Sequence, residues 1–182
     1  MDIEYGENVD FDIYTLNDTH LDLIDKFKCG NEEIDKYLKY KALGDMEVGN
    51  SLTKIIINKN NQQVIGYYSI NCSAIVMEQY EHNYFSPSVE IKMFAINNKY
   101  KKLPYSKDEQ DDIYFSDYLF CNLISKIVDF SENMCAARNI ILYSVPYAVE
   151  FYKRNGFEPF DEYMVVNNDL YLDGCEPMWL RL

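Results

Sequence analysis

The chain has 182 residues, 48% of them hydrophobic and 26% charged, a balance that excludes a disordered or fibrous chain and fits one globular domain over residues 1–182. Thirty acidic against 17 basic residues leave a formal net charge of −13. Such a field disfavours nucleic acid and anionic membranes as partners unless a local basic patch overrides it.

Phe11 to Leu16 alternates apolar and polar residues and reads as a first strand. Leu21, Leu23, Ile24 and Phe27 set a helical stripe over His20 to Phe27. Asn31 is the expected N-cap of a helix running to about Leu43, with Ile34, Tyr37 and Leu38 on its apolar face. Leu52 to Asn58 and Val64 to Ile75, joined by Asn58-Lys59-Asn60-Asn61, read as a hairpin. The polar, proline-containing stretch Glu78 to Ser88 reads as a loop, followed by a strand from Val89 to Ile96. Asn97 to Tyr114 is interrupted by Pro104 and carries Asp108, Glu109, Asp111 and Asp112. It reads as a long loop, of the kind that is functional or mobile inside a compact domain. Ser116 caps a helix predicted to reach about Ala137, with Leu119, Leu123, Ile127 and Phe130 on one face. Ile140 to Val145 is a short apolar strand. Pro146 opens a further helix ending near Asn155-Gly156, where glycine suits the position just past the last turn. Phe160 to Val166 and Met178 to Leu182 are the final strands. This order predicts an α/β (α+β) domain whose sheet mixes strand directions.

Cys29, Cys72, Cys121, Cys135 and Cys175 are odd in number and widely spaced, which argues against a disulfide framework or a zinc site and for reduced thiols in a cytoplasmic protein. His20 and His82 are the only histidines, and neither has a second metal-ligand type at a useful spacing, so no metal is expected. The acidic first residues show no signal peptide, and no run approaches the ~18–20 apolar residues of a membrane span.

The most informative segment is "IILYSVPYAVEFYKRNGF", residues Ile140 to Phe157. A buried strand runs into a helix with Ala148, then Phe151-Tyr152, then Gly156-Phe157. This resembles the strand-to-helix segment of GNAT-type N-acetyltransferases. A plain helix with aromatic core contacts and a glycine cap is the alternative. The resemblance implies a mixed, mostly antiparallel sheet of about six to seven strands flanked by about four helices. It also implies acetyl-CoA as cosubstrate, a primary amine as acceptor, and Tyr152 as general acid toward the departing thiolate. A tyrosine of pKa about 10 is protonated near neutrality and available as a donor. Tyr143 and Tyr147 are rivals by residue type but not by position.

A second segment, "VEIKMFAINNKYKKL" (Val89 to Leu103), resembles the GNAT strand whose backbone pairs with pantetheine, through Phe94, Ala95 and Ile96. In that family a glycine-bearing turn follows, where backbone N–H groups approach the pyrophosphate. Here Lys101-Lys102-Leu103-Pro104-Tyr105-Ser106 holds no glycine. Either the anion site is rebuilt around Ser116, Asp117 and Tyr118 with Lys101 and Lys102 supplying charge, or cofactor binding is weak or lost. Glu90 stands where some histone-acetylating relatives carry a general base, and a surface glutamate beside Lys92 is the alternative reading. A base is useful because an amine of pKa about 10.4 is less than ~0.1% neutral at pH 7.

"FKCGNEEIDKYLKYKAL", Phe27 to Leu43, resembles the branch that includes acetyltransferase toxins of toxin–antitoxin pairs. That resemblance implies aminoacyl-tRNA as an alternative acceptor and an antitoxin as partner, with a homodimer as an open oligomer reading. The net charge argues against tRNA, although Lys36, Lys39, Lys41, Lys54 and Lys59 would make a local basic patch. A non-catalytic CoA-binding protein on the same scaffold is the reading that the missing glycines leave open.

Overall fold

The computed structural model describes residues 5–79, 82–107, 113–160 and 174–182. The strands are β1 (Phe11–Thr15), β2 (Leu52–Asn58), β3 (Val64–Gln79), β4 (His82–Ile96), β5 (Asn139–Ser144), β6 (Glu158–Pro159) and β7 (Glu176–Arg181). The helices are α1 (Leu21–Ile24), α2 (Glu32–Tyr40), α3 (Ala42–Glu47), α4 (Phe115–Asn133) and α5 (Val149–Arg154). The strands form one seven-stranded sheet in the order β1-β2-β3-β4-β5-β7-β6. β4 and β5 are parallel, while β1 with β2, β5 with β7 and β6 with β7 are antiparallel. The α+β class with a mixed sheet is as the sequence predicts.

The chain divides into two compact units, residues 5–69 with 93–122 and residues 70–92 with 123–182, so that β3, β4 and α4 each contribute to both.

In the first unit, Asn31 caps α2 by accepting from the Glu33 and Ile34 amides at 3.0 and 3.2 Å. Glu32, Glu33 and Asp35 add negative charge where the helix dipole is positive. The predicted helix to Leu43 is broken at Lys41, and α3 begins one residue later. The break returns Asp45 to the Tyr37 hydroxyl, which donates to its carboxylate at 2.9 Å and lies within 3.3 Å of Ser51 and Ser69. The first predicted helix is also shorter. A 3₁₀ turn over Asp18–His20 precedes α1, because Asn17 and His20 cap each other reciprocally. One apolar cluster joins Phe27, Tyr37, Leu38, Ile55 and Tyr67. Another joins Ile56, Ile65, Ile96, Tyr100, Phe115 and Leu119. Gly66 allows β3 to approach β4 closely: a Cβ there would stand 2.7 Å from the Ala95 carbonyl oxygen.

The second unit corrects the loop predicted over Glu78 to Ser88. β3 runs on to Gln79 and β4 starts at His82. Tyr84 and Phe85 are exposed, so this part of the ribbon has no buried face to impose an apolar alternation on the sequence. Pro87 lies in β4 and contributes only its carbonyl, to the Arg138 amide at 2.8 Å. Ile75, Ile141 and Phe160 form an apolar cluster with Trp179 against it. The predicted final strand from Phe160 falls mostly outside the described residues. Phe160 itself donates its amide to the Pro177 carbonyl at 2.9 Å, just after β6.

Candidate active site

In the second unit, β5 is an almost wholly buried strand that ends at Ser144. Pro146 then starts a 3₁₀ turn that leads into α5, in place of the single helix predicted from Pro146. Gly156 ends α5 with φ +88°, a conformation natural to glycine. The Phe157 amide reaches back to the Tyr152 carbonyl at 3.0 Å and closes the helix. Tyr152 is thereby fixed one turn before the cap, 8% exposed, with the Phe151 and Phe157 rings edge-on to it. Burial, with lesser contributions from Tyr147 and Cys175, holds its phenol well above the ordinary tyrosine pKa. The hydroxyl is therefore protonated near neutrality and available as a donor. Tyr147, by contrast, is 67% exposed.

Glu90 is half-buried and lies opposite Ile141 in the parallel ladder, which joins Ser88–Ile91 to Asn139–Leu142. Tyr143, two residues beyond Ile141, shares that face of the sheet. Burial raises the Tyr143 pKa, and the Glu90 charge raises it further. Glu90 and Tyr143 thus belong to one electrostatic neighbourhood, while Tyr152 belongs with Tyr147 and Cys175.

The residues assigned to the cofactor lie in the first unit. Ala95 and Ile96 are buried, and the Phe94 ring packs edge-on to Phe120 with centroids 4.9 Å apart. Lys101 directs its ammonium to the Cys29 carbonyl, and Lys102 is exposed. Ser116 donates to the Lys101 carbonyl at 3.3 Å, which brings these two predicted residues together. Tyr118 stacks on Tyr105 at 4.6 Å and on Phe115 at 6.3 Å. Asp117 is buried and accepts from the Tyr114 amide at 3.0 Å, so a carboxylate caps the start of α4. The amides of Phe115, Asp117 and Tyr118 donate to the carbonyls of Leu103, Tyr114 and Tyr114. The first-turn N–H groups offered to a pyrophosphate in the sequence reading are therefore largely engaged within the chain.

The lysines read as a basic patch are also engaged. Lys36 pairs with Glu32 at 3.0 Å, Lys39 with Asp25 at 3.9 Å, and Lys59 with Asp10 at 3.0 Å. Lys54 donates to the Thr15 hydroxyl at 3.0 Å. Sequence reasoning missed Cys175 as a neighbour of Tyr152, and no spacing in the sequence signals it, because the contact is made across the fold. The sequence assigned the cap of this helix to Ser116; α4 instead begins at Phe115, so Ser116 lies inside its first turn and Asp117 takes the capping role. Among the described residues no group of three His, Cys, Asp or Glu side chains is placed to hold a metal.

No family model matches the sequence, and no curated protein matches it. Solved structures do match the fold. AtaT complexed with acetyl-methionyl-tRNAfMet is 18% identical, with a TM-score of 0.68 over 94% of this chain and 95% of that one. A tyrosine-to-phenylalanine mutant of the AtaT toxin, bound to acetyl-CoA and to the C-terminus of the antitoxin AtaR, is 20% identical, with a TM-score of 0.66 over 94% and 93%. A tyrosine-to-phenylalanine mutant of KacT is 15% identical, with a TM-score of 0.67 over 94% of each chain. The chain has the fold of these GNAT toxins over nearly its whole length.

Proposed function

We propose that the chain is an acetyl-CoA-dependent N-acetyltransferase that acts in the cytoplasm as one catalytic domain over residues 1–182, transferring acetyl to a primary amine by direct attack. The observation that carries this reading is Tyr152. It is a buried, protonated hydroxyl fixed in α5, one turn before the Gly156 cap, in a fold shared with a toxin bound to acetyl-CoA. Attack by the amine gives a tetrahedral intermediate that expels CoA as a thiolate. A thiolate whose thiol has pKa about 8.5 is a far weaker base than a buried tyrosinate. Tyr152 therefore keeps its proton and acts by donating a hydrogen bond to the sulfur as charge develops, and CoA leaves as a thiolate that takes its proton from solvent. Glu90 serves as the base that takes the proton from the amine. Phe94, Ala95 and Ile96 present their strand to the pantetheine arm. Lys101, Lys102, Ser116, Asp117 and Tyr118 face the phosphates, with Asp117 opposing them by its charge.

A second reading narrows the acceptor to aminoacyl-tRNA and adds an antitoxin as partner. It is favoured by the likeness to AtaT, whose solved structures include one complexed with acetyl-methionyl-tRNAfMet and one bound to the C-terminus of AtaR, together with the Phe27 to Leu43 resemblance. The net charge of −13 and the local pairing of Lys36, Lys39 and Lys59 favour a small or peptide amine instead.

Calorimetry with acetyl-CoA, followed by free-thiol release with a panel of amines and with aminoacyl-tRNA across a salt series, tests the proposal. Thiol release that requires an amine supports it. Absence of binding at millimolar acetyl-CoA overturns it, and binding without transfer points to a non-catalytic CoA-binding protein. A steep loss of tRNA acetylation with rising salt selects the second reading, since phosphate contacts release counterions.

A further inference from the structure

Asn71 lies on β3 within the second unit, and its Oδ1 is buried with no hydrogen-bond partner among the described residues. Burial alternates along this stretch. Asn71, Ser73 and Ile75 are partly or fully covered, whereas Cys72, Ala74 and Val76 are exposed. Ile75 packs with Ile141 and Phe160, so the alternation puts Asn71 on the Ile141 side of the sheet. Glu90 stands opposite Ile141 on that side, and Tyr143 follows two residues on. One face of this unit therefore carries three polar groups, Asn71, Glu90 and Tyr143, beside an apolar floor of Ile75, Ile141 and Phe160.

A buried amide oxygen without a donor is costly, and such groups in folded chains have a reason to persist. The missing donor is supplied by a ligand N–H. The acceptor amine has N–H groups to offer, and it must be held neutral to attack. A neutral amide oxygen holds one N–H without stabilising the ammonium form as a second carboxylate would. Glu90 on the same face is then left to take the proton.

We propose that Asn71 determines acceptor binding, its Oδ1 accepting a hydrogen bond from the primary amine of the acceptor beside Glu90 and Tyr143. This rests on the acetyltransferase reading above. The test is Asn71→Leu, which keeps the γ-branched shape and removes the oxygen, with Asn71→Ser as a second variant whose oxygen is too short to reach. The amine turned over best by the parent chain is the probe. The expected result is a KM for that amine raised about tenfold in both variants, with acetyl-CoA affinity unchanged by calorimetry. The melting temperature of Asn71→Leu should be unchanged or higher, because the unpaired oxygen is gone. An unchanged amine KM in either folded variant overturns the inference, as does a fall in kcat with KM intact. A parent chain that acetylates no amine overturns the function first and this inference with it, so the two failures are distinguishable.

Discussion

In the second unit, the run from β5 through α5 fixes the buried Tyr152 hydroxyl between a buried strand on one side and a Gly156 cap on the other. In the first unit, the start of α4 has the opportunity to expose backbone, and the amides of Phe115, Asp117 and Tyr118 are spent within the chain. Aromatic rings pack around Phe115, and Asp117 occupies the cap. A side-chain donor needs only a fixed direction, which a well-packed strand and helix provide. An anion site needs unspent N–H groups, which a glycine turn leaves free and this turn consumes. The contrast teaches that a fixed side-chain donor and a backbone anion site make different demands on a sequence.

The largest effect expected bears on the first half of that contrast. Tyr152→Phe should reduce turnover by about 10–1000-fold while changing acetyl-CoA affinity little, since the thiolate charge exists only during reaction. Equal turnover of mutant and parent would remove Tyr152 from the chemistry. Gly66→Ala probes the strand beneath the first unit's half. Its Cβ would stand 2.7 Å from both the Ala95 carbonyl oxygen and Ile96 Cδ1. Thermal melting should show a loss of about 1–3 kcal/mol, and an unshifted melt would mean that the two strands part freely.

Asp117→Ala tests whether the capping carboxylate competes with phosphate. Loss of the cap should cost about 0.5–2 kcal/mol of stability. Removing its charge should tighten acetyl-CoA about fivefold at low salt. Weaker binding in this variant would mean that the carboxylate supports the cofactor rather than opposing it.

The smallest effect concerns Cys29, whose thiol burial and the Asp35 carboxylate push up to about 11. Alkylation at pH 8 should reach the exposed Cys72, Cys121 and Cys135 well before it. Because its folded pKa is raised, its contribution to stability is complete below about pH 9, the ordinary thiol range. It is lost as pH climbs toward 11, where the unfolded thiol has already ionised. Denaturant midpoints measured across that window check the sign, and Cys29→Ser should flatten the slope.

Legibility in the sequence followed locality. The hairpin of β2 and β3, the Asn31 cap, the α4 stripe and the Tyr152-to-Phe157 helix end all depend on residues within a few positions of one another, and spacing alone exposed them. The outer ribbon of β3 and β4 was misread as loop because a strand exposed on both faces carries no alternation to detect. The break between α2 and α3 was invisible because it answers to Tyr37 meeting Asp45, Ser51 and Ser69.

What the sequence by itself determined is the class of fold and the local elements that build it, since periodicity, caps and turns are local matters. The tertiary structure alone decided the electrostatic state of their side chains. Burial keeps Tyr152 protonated, ion pairs occupy Lys36, Lys39 and Lys59, the first turn of α4 meets its hydrogen bonds internally, and Asn71 is left with an unpaired oxygen. Desolvation and hydrogen-bond satisfaction depend on neighbours brought together across the chain, and a linear sequence does not contain those distances.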